Sequence, residues 1–177
     1  MAPHIHTERL TLRAHRLDDF ADACAMWSDP DVTRFIGGVP STEQQVWSRM
    51  LSYAGHWALL GFGYWVVEEA ATRTFIGEIG FANFKRDIEP EMREVPEIGW
   101  AFAVRAHGKG FATEAVRAAV AWGDERFGGA RTVCLIDRDN LASIHVAEKS
   151  GYREFKRSQR SGKPVLFFER VHRSDRP

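Results

Sequence analysis

The sequence predicts an α/β protein built on one mixed, mostly antiparallel sheet flanked by helices, and three observations carry that prediction. Residues 62–69 and 74–84 form two runs rich in aromatic and β-branched side chains, separated by the polar Ala71, Thr72 and Arg73, which is the pattern of an antiparallel hairpin. A strand, a glycine turn, an alanine-rich helix and a second strand then follow over residues 97–137; a helix joining two neighbouring strands makes that pair parallel. Residues 152–158 and 163–171 close the chain as a further hairpin, joined through Ser161 and Gly162.

Each element has its own local signal. From Thr7 to Ala14, Leu10, Leu12 and Ala14 alternate with Arg9, Thr11 and Arg13, the period of a half-buried strand. Asp18 and Asp19 open a helix with Phe20, Ala23, Cys24 and Trp27 at helical spacing, stopped at Asp29-Pro30. Ser41 and Gln44 stand at capping-box spacing before a second helix, whose Val46, Trp47, Met50, Leu51 and Trp57 run toward a break at Gly61. Lys85 to Val95 is charged, contains Pro90 and reads as a surface loop. A strand over Glu97 to Val104 feeds the glycine turn, and Val116, Ala119, Val120 and Phe127 give the helix from Ala112 an apolar stripe that ends at Gly128-Gly129. Val133 to Ile136 is continuously apolar, as expected of a strand covered on both faces. Asn140 caps a last helix ending at Gly151.

The 177 residues are 44% hydrophobic with no linker-like shift in composition, which predicts a single domain over residues 1–177. Formal charge sums to zero, so there is no footprint for nucleic acid and no polybasic membrane patch. Cys24 and Cys134 lie far apart in apolar surroundings and read as buried thiols of a reducing compartment. No apolar run approaches the roughly 20 residues that span a bilayer, and the opening Met-Ala-Pro-His-Ile-His lacks a signal-peptide core, so a cytoplasmic protein is expected. His4 and His6 have no completed ligand set, and no metal site is expected. Oligomeric state is not encoded in any motif; a homodimer stays open.

The chemistry centres on Arg105-Ala-His-Gly-Lys-Gly110. Gly108 and Gly110 at a strand-to-helix junction let successive N–H groups approach a ligand closely, and the helix start adds unpaired donors and partial positive charge suited to pyrophosphate. Lys109 and Arg105 add formal charge at the rim. Thr113 stands where a dinucleotide fingerprint requires glycine, and no Gly-Lys-Ser or Gly-Lys-Thr makes a Walker loop. A plain turn before a helix has the same spacing. The pattern Arg-x-x-Gly-x-Gly nonetheless resembles the acetyl-CoA pyrophosphate loop of the GNAT-type N-acetyltransferase superfamily. A second stretch, Asn140-Leu-Ala-Ser143 through Glu148-Lys-Ser-Gly-Tyr152, is similar to the Asn-x-x-Ser-x-x-x-x-Glu-Lys-x-Gly-aromatic segment of that family's carboxyl half. With Thr7-Glu-Arg-Leu-x-Leu-Arg, Glu97-Ile-Gly-Trp100 and Ala112-Thr-Glu-Ala115, the chain looks closest to the branch that includes acetyltransferases of ribosomal-protein N-termini.

That resemblance covers nearly the whole chain. It implies the GNAT fold, with a central parallel strand pair splayed around CoA, and acetyl transfer from acetyl-CoA to a primary amine, on a protein N-terminus or a small molecule, by direct attack in a ternary complex. It assigns cofactor contacts to Phe102, Ala103, Val104, Arg105, Gly108, Lys109, Gly110, Phe111, Ala112, Thr113, Asn140 and Ser143, with Phe102 and Val104 pairing with the pantetheine arm and a backbone N–H of residues 100–102 facing the thioester oxygen. An ammonium of pKa near 10.4 must lose a proton before it attacks, and Glu97, in a cleft walled by Trp100, is the first candidate for that base, directly or through water. A solvated or ion-paired strand-end glutamate is the plainer alternative. Glu78, between Gly77 and Gly80 in the neighbouring strand, is the reserve, with the glycines expected to leave room for ligand. Many members carry a tyrosine acid seven residues after the asparagine; here that position is Ala147, which leaves the Ser143 hydroxyl as the candidate acid toward the departing thiolate. Tyr152 reads as core packing, and Trp27, Trp47, Trp57 and Trp65 as core or cleft wall. Glu114 complements the helix dipole, and the 85–95 loop is a candidate lid on the acceptor side. Transfer of another acyl group such as succinyl, and a CoA-binding sensor without catalysis, remain as alternatives; an ordinary nucleotide-binding α/β sheet fits poorly, because the antiparallel runs precede the glycine loop.

Overall fold

The computed structural model describes residues 2–160 and 162–171; Ser161, expected in the last hairpin turn, lies outside them. The chain begins with β1 (Ile5–His6) and β2 (Leu10–Arg13), a hairpin where the alternation suggested one strand from Thr7. The Thr7 hydroxyl accepts the Leu10 N–H at 3.0 Å and closes the turn, a local bond that alternation cannot register. A 3-10 turn, Leu17–Asp19, leads into α1 (Phe20–Trp27). Asp29 then accepts from Asp31 N at 2.9 Å and starts the one-turn α2 (Pro30–Thr33), so the Asp-Pro that stops one helix opens another.

Helix α3 (Glu43–Leu60) is capped by Thr42 with Gln45, one residue beyond the expected Ser41 and Gln44; Ser41 N donates to the Trp27 carbonyl instead. Its buried stripe is Val46, Met50, Tyr53 and Trp57, while Trp47 and Leu51, expected on that stripe, are 40% and 55% exposed. Trp47 is therefore a surface residue, set edge-on against Phe20. Strands β3 (Tyr64–Glu69), β4 (Thr74–Ala82) and β5 (Glu97–Phe102) are antiparallel neighbours, with Glu78 opposite Ala101 and Ala82 opposite Glu97. Helix α4 (Phe111–Arg126), β6 (Thr132–Asp137), α5 (Leu141–Lys149), β7 (Arg153–Arg160) and β8 (Lys163–Arg170) complete an eight-stranded sheet of order β1-β2-β3-β4-β5-β6-β8-β7.

One junction in the sheet is unlike the rest. Strands β5 and β6 are parallel, and they share a single register pair, Glu97 with Val133, closed by Val133 N donating to Pro96 O at 3.1 Å. Beyond that rung the two strands part toward their carboxyl ends, where the 108–110 turn and the start of α5 lie.

Alternation sorts the sheet's two faces. Ile79, Phe81, Ile98 and Phe102 meet Val116, Ala119 and Val120 of α4, and Trp57, Trp65, Trp122 and Phe127 stack edge-to-face around them. On the other face Val66 and Ala101 meet Ala23, Met26 and Trp27 of α1 and Val46 and Met50 of α3. Each large side chain taken fully out of water contributes about 1.5–3 kcal/mol, which fixes both helical layers on the sheet. Cys134 is buried as expected; Cys24 is only half-buried, on the rim of α1. The 83–96 loop is tied down by Met92, which packs with Val133, Val165 and Phe167. No helix among the described residues is long and apolar enough to cross a membrane.

Candidate active site

At the wide end of the β5/β6 opening the backbone offers donors. Gly108 and Gly110 take φ of 73° and 80°, the left-handed region that favours glycine, and Gly110 caps α4 without a side-chain bond. Among the described residues the N–H groups of Gly108, Lys109 and Gly110 are not donated within the chain, and those of Phe111, Ala112 and Thr113 are the unpaired first turn of α4. The turn is braced from the amino terminus. Glu114 accepts from Thr7 Oγ1 at 2.6 Å, Arg9 N at 2.9 Å and Arg9 Nε at 2.7 Å, and Arg9 Nη1 donates to the Lys109 carbonyl at 2.9 Å. Burial pushes the Glu114 carboxyl up, and these bonds more than offset it, holding it below the usual carboxylate range. Glu114 is thus a clamp as well as a dipole partner.

Several expected cofactor contacts sit differently from the sequence reading. Strand β5 stops at Phe102, and Val104 lies in a 3-10 turn with its side chain 41% exposed, so it does not extend the strand. Ala103 still donates to the Ile76 carbonyl at 2.9 Å. His107 Nε2 donates to the Phe102 carbonyl at 2.8 Å and so takes up a strand-end acceptor; nothing in its spacing singled it out. Arg105 donates to the Phe75 carbonyl, and the Phe111 side chain is in the core beneath the Arg9 guanidinium.

Across the opening, Asn140 Oδ1 accepts from Ser143 N at 3.1 Å and caps α5. Ser143 is half-buried one turn in, and Ala147, a turn further on the same face, is fully buried in the main core. Tyr152 is buried with its hydroxyl 2.7 Å from Thr132 Oγ1, as befits a packing residue.

The two acids differ in their surroundings. Glu97 receives a bidentate bond from Arg86, Nε to Oε2 at 2.8 Å and Nη2 to Oε1 at 2.9 Å, and both side chains are largely buried. Trp100 is not its wall: it lies three residues along the strand, on the opposite face, against the α4 core. The aromatic beside Glu97 is Tyr64, whose hydroxyl burial and then the Glu97 charge push well above its usual range. Arg86 also lines a cleft of about 640 Å³ with Phe84, Asp87, Ile88, Glu89 and, from the end of β7, Ser158, Gln159 and Arg160. The loop therefore does wall a cleft beside Glu97. Glu78 is buried, bonded by His15 Nε2 at 3.0 Å and Trp27 Nε1 at 2.8 Å. The glycines around it leave no room for ligand: a Cβ at Gly77 would strike the Ala101 carbonyl and the Phe102 ring, and one at Gly80 the Gly63–Tyr64 backbone. They are there for close strand approach.

Comparison with known proteins bears on the family and the fold. The family model described as an acetyltransferase (GNAT) domain matches residues 9–153. A Bacillus subtilis (strain 168) protein, YkkB, described as uncharacterized, is 33% identical over 170 residues, 93% of either chain. A structure from Bordetella pertussis, assigned to the GnaT acetyltransferase family, superposes with a TM-score of 0.86 at 31% identity, covering 96% of this chain and all of that one. RimL, a ribosomal L7/L12 α-N-protein acetyltransferase solved with coenzyme A, shares the fold at 16% identity, with a TM-score of 0.77, over 98% of this chain and all of its own.

Proposed function

Since the chain belongs to the GNAT acetyltransferase family, we propose that it transfers the acetyl group of acetyl-CoA to a primary amine by direct attack, both substrates being bound together. The observation that carries this reading is the run of undonated N–H groups from Gly108 to Thr113 at a helix start, placed at the wide end of the β5/β6 opening. Such a run holds a pyrophosphate by oriented backbone donors and the positive helix end. Asn140 and Ser143 stand on the facing side, and RimL, of the same fold, holds coenzyme A.

In this reading the amine enters by the cleft under residues 84–89, beside Glu97. A bond forms between its nitrogen and the acetyl carbon, the carbon–sulfur bond breaks, and the nitrogen loses a proton. The two Arg86 bonds engage both Glu97 oxygens and fix the carboxylate in one orientation. Glu97 therefore acts best by orienting a water that carries the proton away. The departing thiolate takes a proton from the Ser143 hydroxyl or from solvent. Glu97→Gln is expected to lower kcat about a hundredfold and to leave acetyl-CoA affinity by calorimetry nearly unchanged. A kcat within a few-fold of wild type in this variant rejects Glu97. One observation favours a second base, the His15 imidazole, whose ring is held in one orientation by its 3.0 Å bond to the Glu78 carboxylate. A hundredfold loss of kcat in His15→Gln that Glu97→Gln does not share would assign the role there.

A further inference from the structure

Helix α3 turns Val46, Met50, Tyr53 and Trp57 toward the sheet, and helical spacing sets Arg49 in the same stripe, four residues before Tyr53. A charge in a buried stripe ordinarily has a carboxylate partner, because an unpaired one is costly to remove from water. Arg49 has none: among the described residues no acid forms an ion pair with it, and its occluded Nη1 donates no hydrogen bond. Its guanidinium carbon lies 3.7 Å from the centroid of the Trp27 ring, so the indole covers one face and fixes its plane. The acid on that indole, Glu78, is already taken by Trp27 Nε1 and His15 Nε2.

What Arg49 does adjoin is Tyr53, one helical turn on along the same face of α3. Its charge opposes the upward push of burial on the Tyr53 and Tyr64 hydroxyls. Those two rings stack 4.1 Å apart, and a Cβ at Gly99 of β5 would strike the Tyr64 hydroxyl. Gly99 is two residues from Glu97 on the same sheet face, so a guanidinium and a carboxylate flank one aromatic pair. A fixed guanidinium edge offers two parallel N–H donors, the match for a planar carboxylate.

We propose that Arg49 binds a carboxylate on the acceptor, so that this chain prefers amines of the amino-acid class over neutral or polycationic amines. The inference rests on acetyl transfer at the site described above. Its test is thiol release from acetyl-CoA with a panel of amino acids, each paired with its own carboxamide, and with spermidine as the polycationic arm. The wild-type chain is expected to favour carboxylate over carboxamide by about tenfold or more in kcat/KM, the scale of a charged hydrogen bond. Arg49→Met should bring that ratio close to one, and Arg49→Lys, which keeps charge and loses the fork, should leave it intermediate. If the methionine variant fails to fold by circular dichroism, the lysine variant alone decides. A wild-type ratio at or below one, a preference for spermidine, or a ratio unchanged by the substitutions overturns the inference while leaving acetyl transfer standing. If calorimetry shows acetyl-CoA bound and no amine of the panel is acetylated, the inference falls, and acetyl transfer itself falls only if peptide N-termini also fail as acceptors.

Discussion

Ala147 shows how one side chain sets what α5 can do. It has 0% exposure and lies four residues after Ser143 on the same helix face, so a larger group there must displace core atoms. Ala147→Tyr is therefore expected to cost about 1–3 kcal/mol by overpacking and to lower the melting temperature without raising the rate. Ser143→Ala should slow turnover roughly tenfold, the low end for acid assistance, and less with a donor bearing a better leaving thiol. Equal defects with both donors would mean that the serine binds and does not protonate. At this scale the sequence was only half legible. Glu97 and Trp100 differ by an odd number of positions, so strand alternation already separates them; the Arg86 partner, by contrast, comes from an irregular loop whose path no periodicity encodes.

Among the elements, boundaries were the weaker part of the reading, and the reasons are local. Ser41 and Thr42 can both cap a helix, and only the backbone decides that Thr42 does. The two-residue β1 is too short to show a period. The start of α1 was read from Asp18 and Asp19, and Asp19 does more than begin a turn: it accepts from Arg13 at 2.6 and 2.8 Å and from Arg16 N at 2.6 Å, while Arg13 also bonds Glu68. Burial raises the Asp19 pKa, and Arg13 with the Arg16 amide outweighs it, leaving the carboxyl below its usual range. A depressed folded-state pKa contributes stability above the unfolded value of about 4, which is lost as pH falls through the folded value. Asp19→Asn should thus cost about 3 kcal/mol at pH 7, the scale for breaking a buried pair. In thermal melts the gap between wild type and variant should narrow below about pH 4; a constant gap would mean that the charge is not what stabilises α1.

For the molecule as a whole, the parallel crossover was legible because helix-joined strands have little choice of direction, and the glycine turn because few other residues adopt its backbone, whereas the placing of β8 and not β7 beside β6 carries no local signal. Acetyl-CoA at a hundred times its Kd should stabilise the fold by about 2.7 kcal/mol, which for a chain of this size raises the melting temperature by about 5–10 °C. Gly110→Ala, strained at φ 80° and with its Cβ 3.4 Å from Arg9, should melt lower without ligand and lose most of that rise; an undiminished rise would place the cofactor elsewhere. The single rung between β5 and β6 has a mechanical meaning too. The sheet is two plates, β1 to β5 and β6 to β8, meeting at a seam that the backbone does not close and that α4, with Arg170 of one plate bonded to Asp124, must span. Each plate therefore carries an inward-facing edge strand, the kind of surface that in an open sheet recruits a second chain. On the proposed reading that edge, flanked by the starts of α4 and α5, takes the extended arm of acetyl-CoA in place of a second chain.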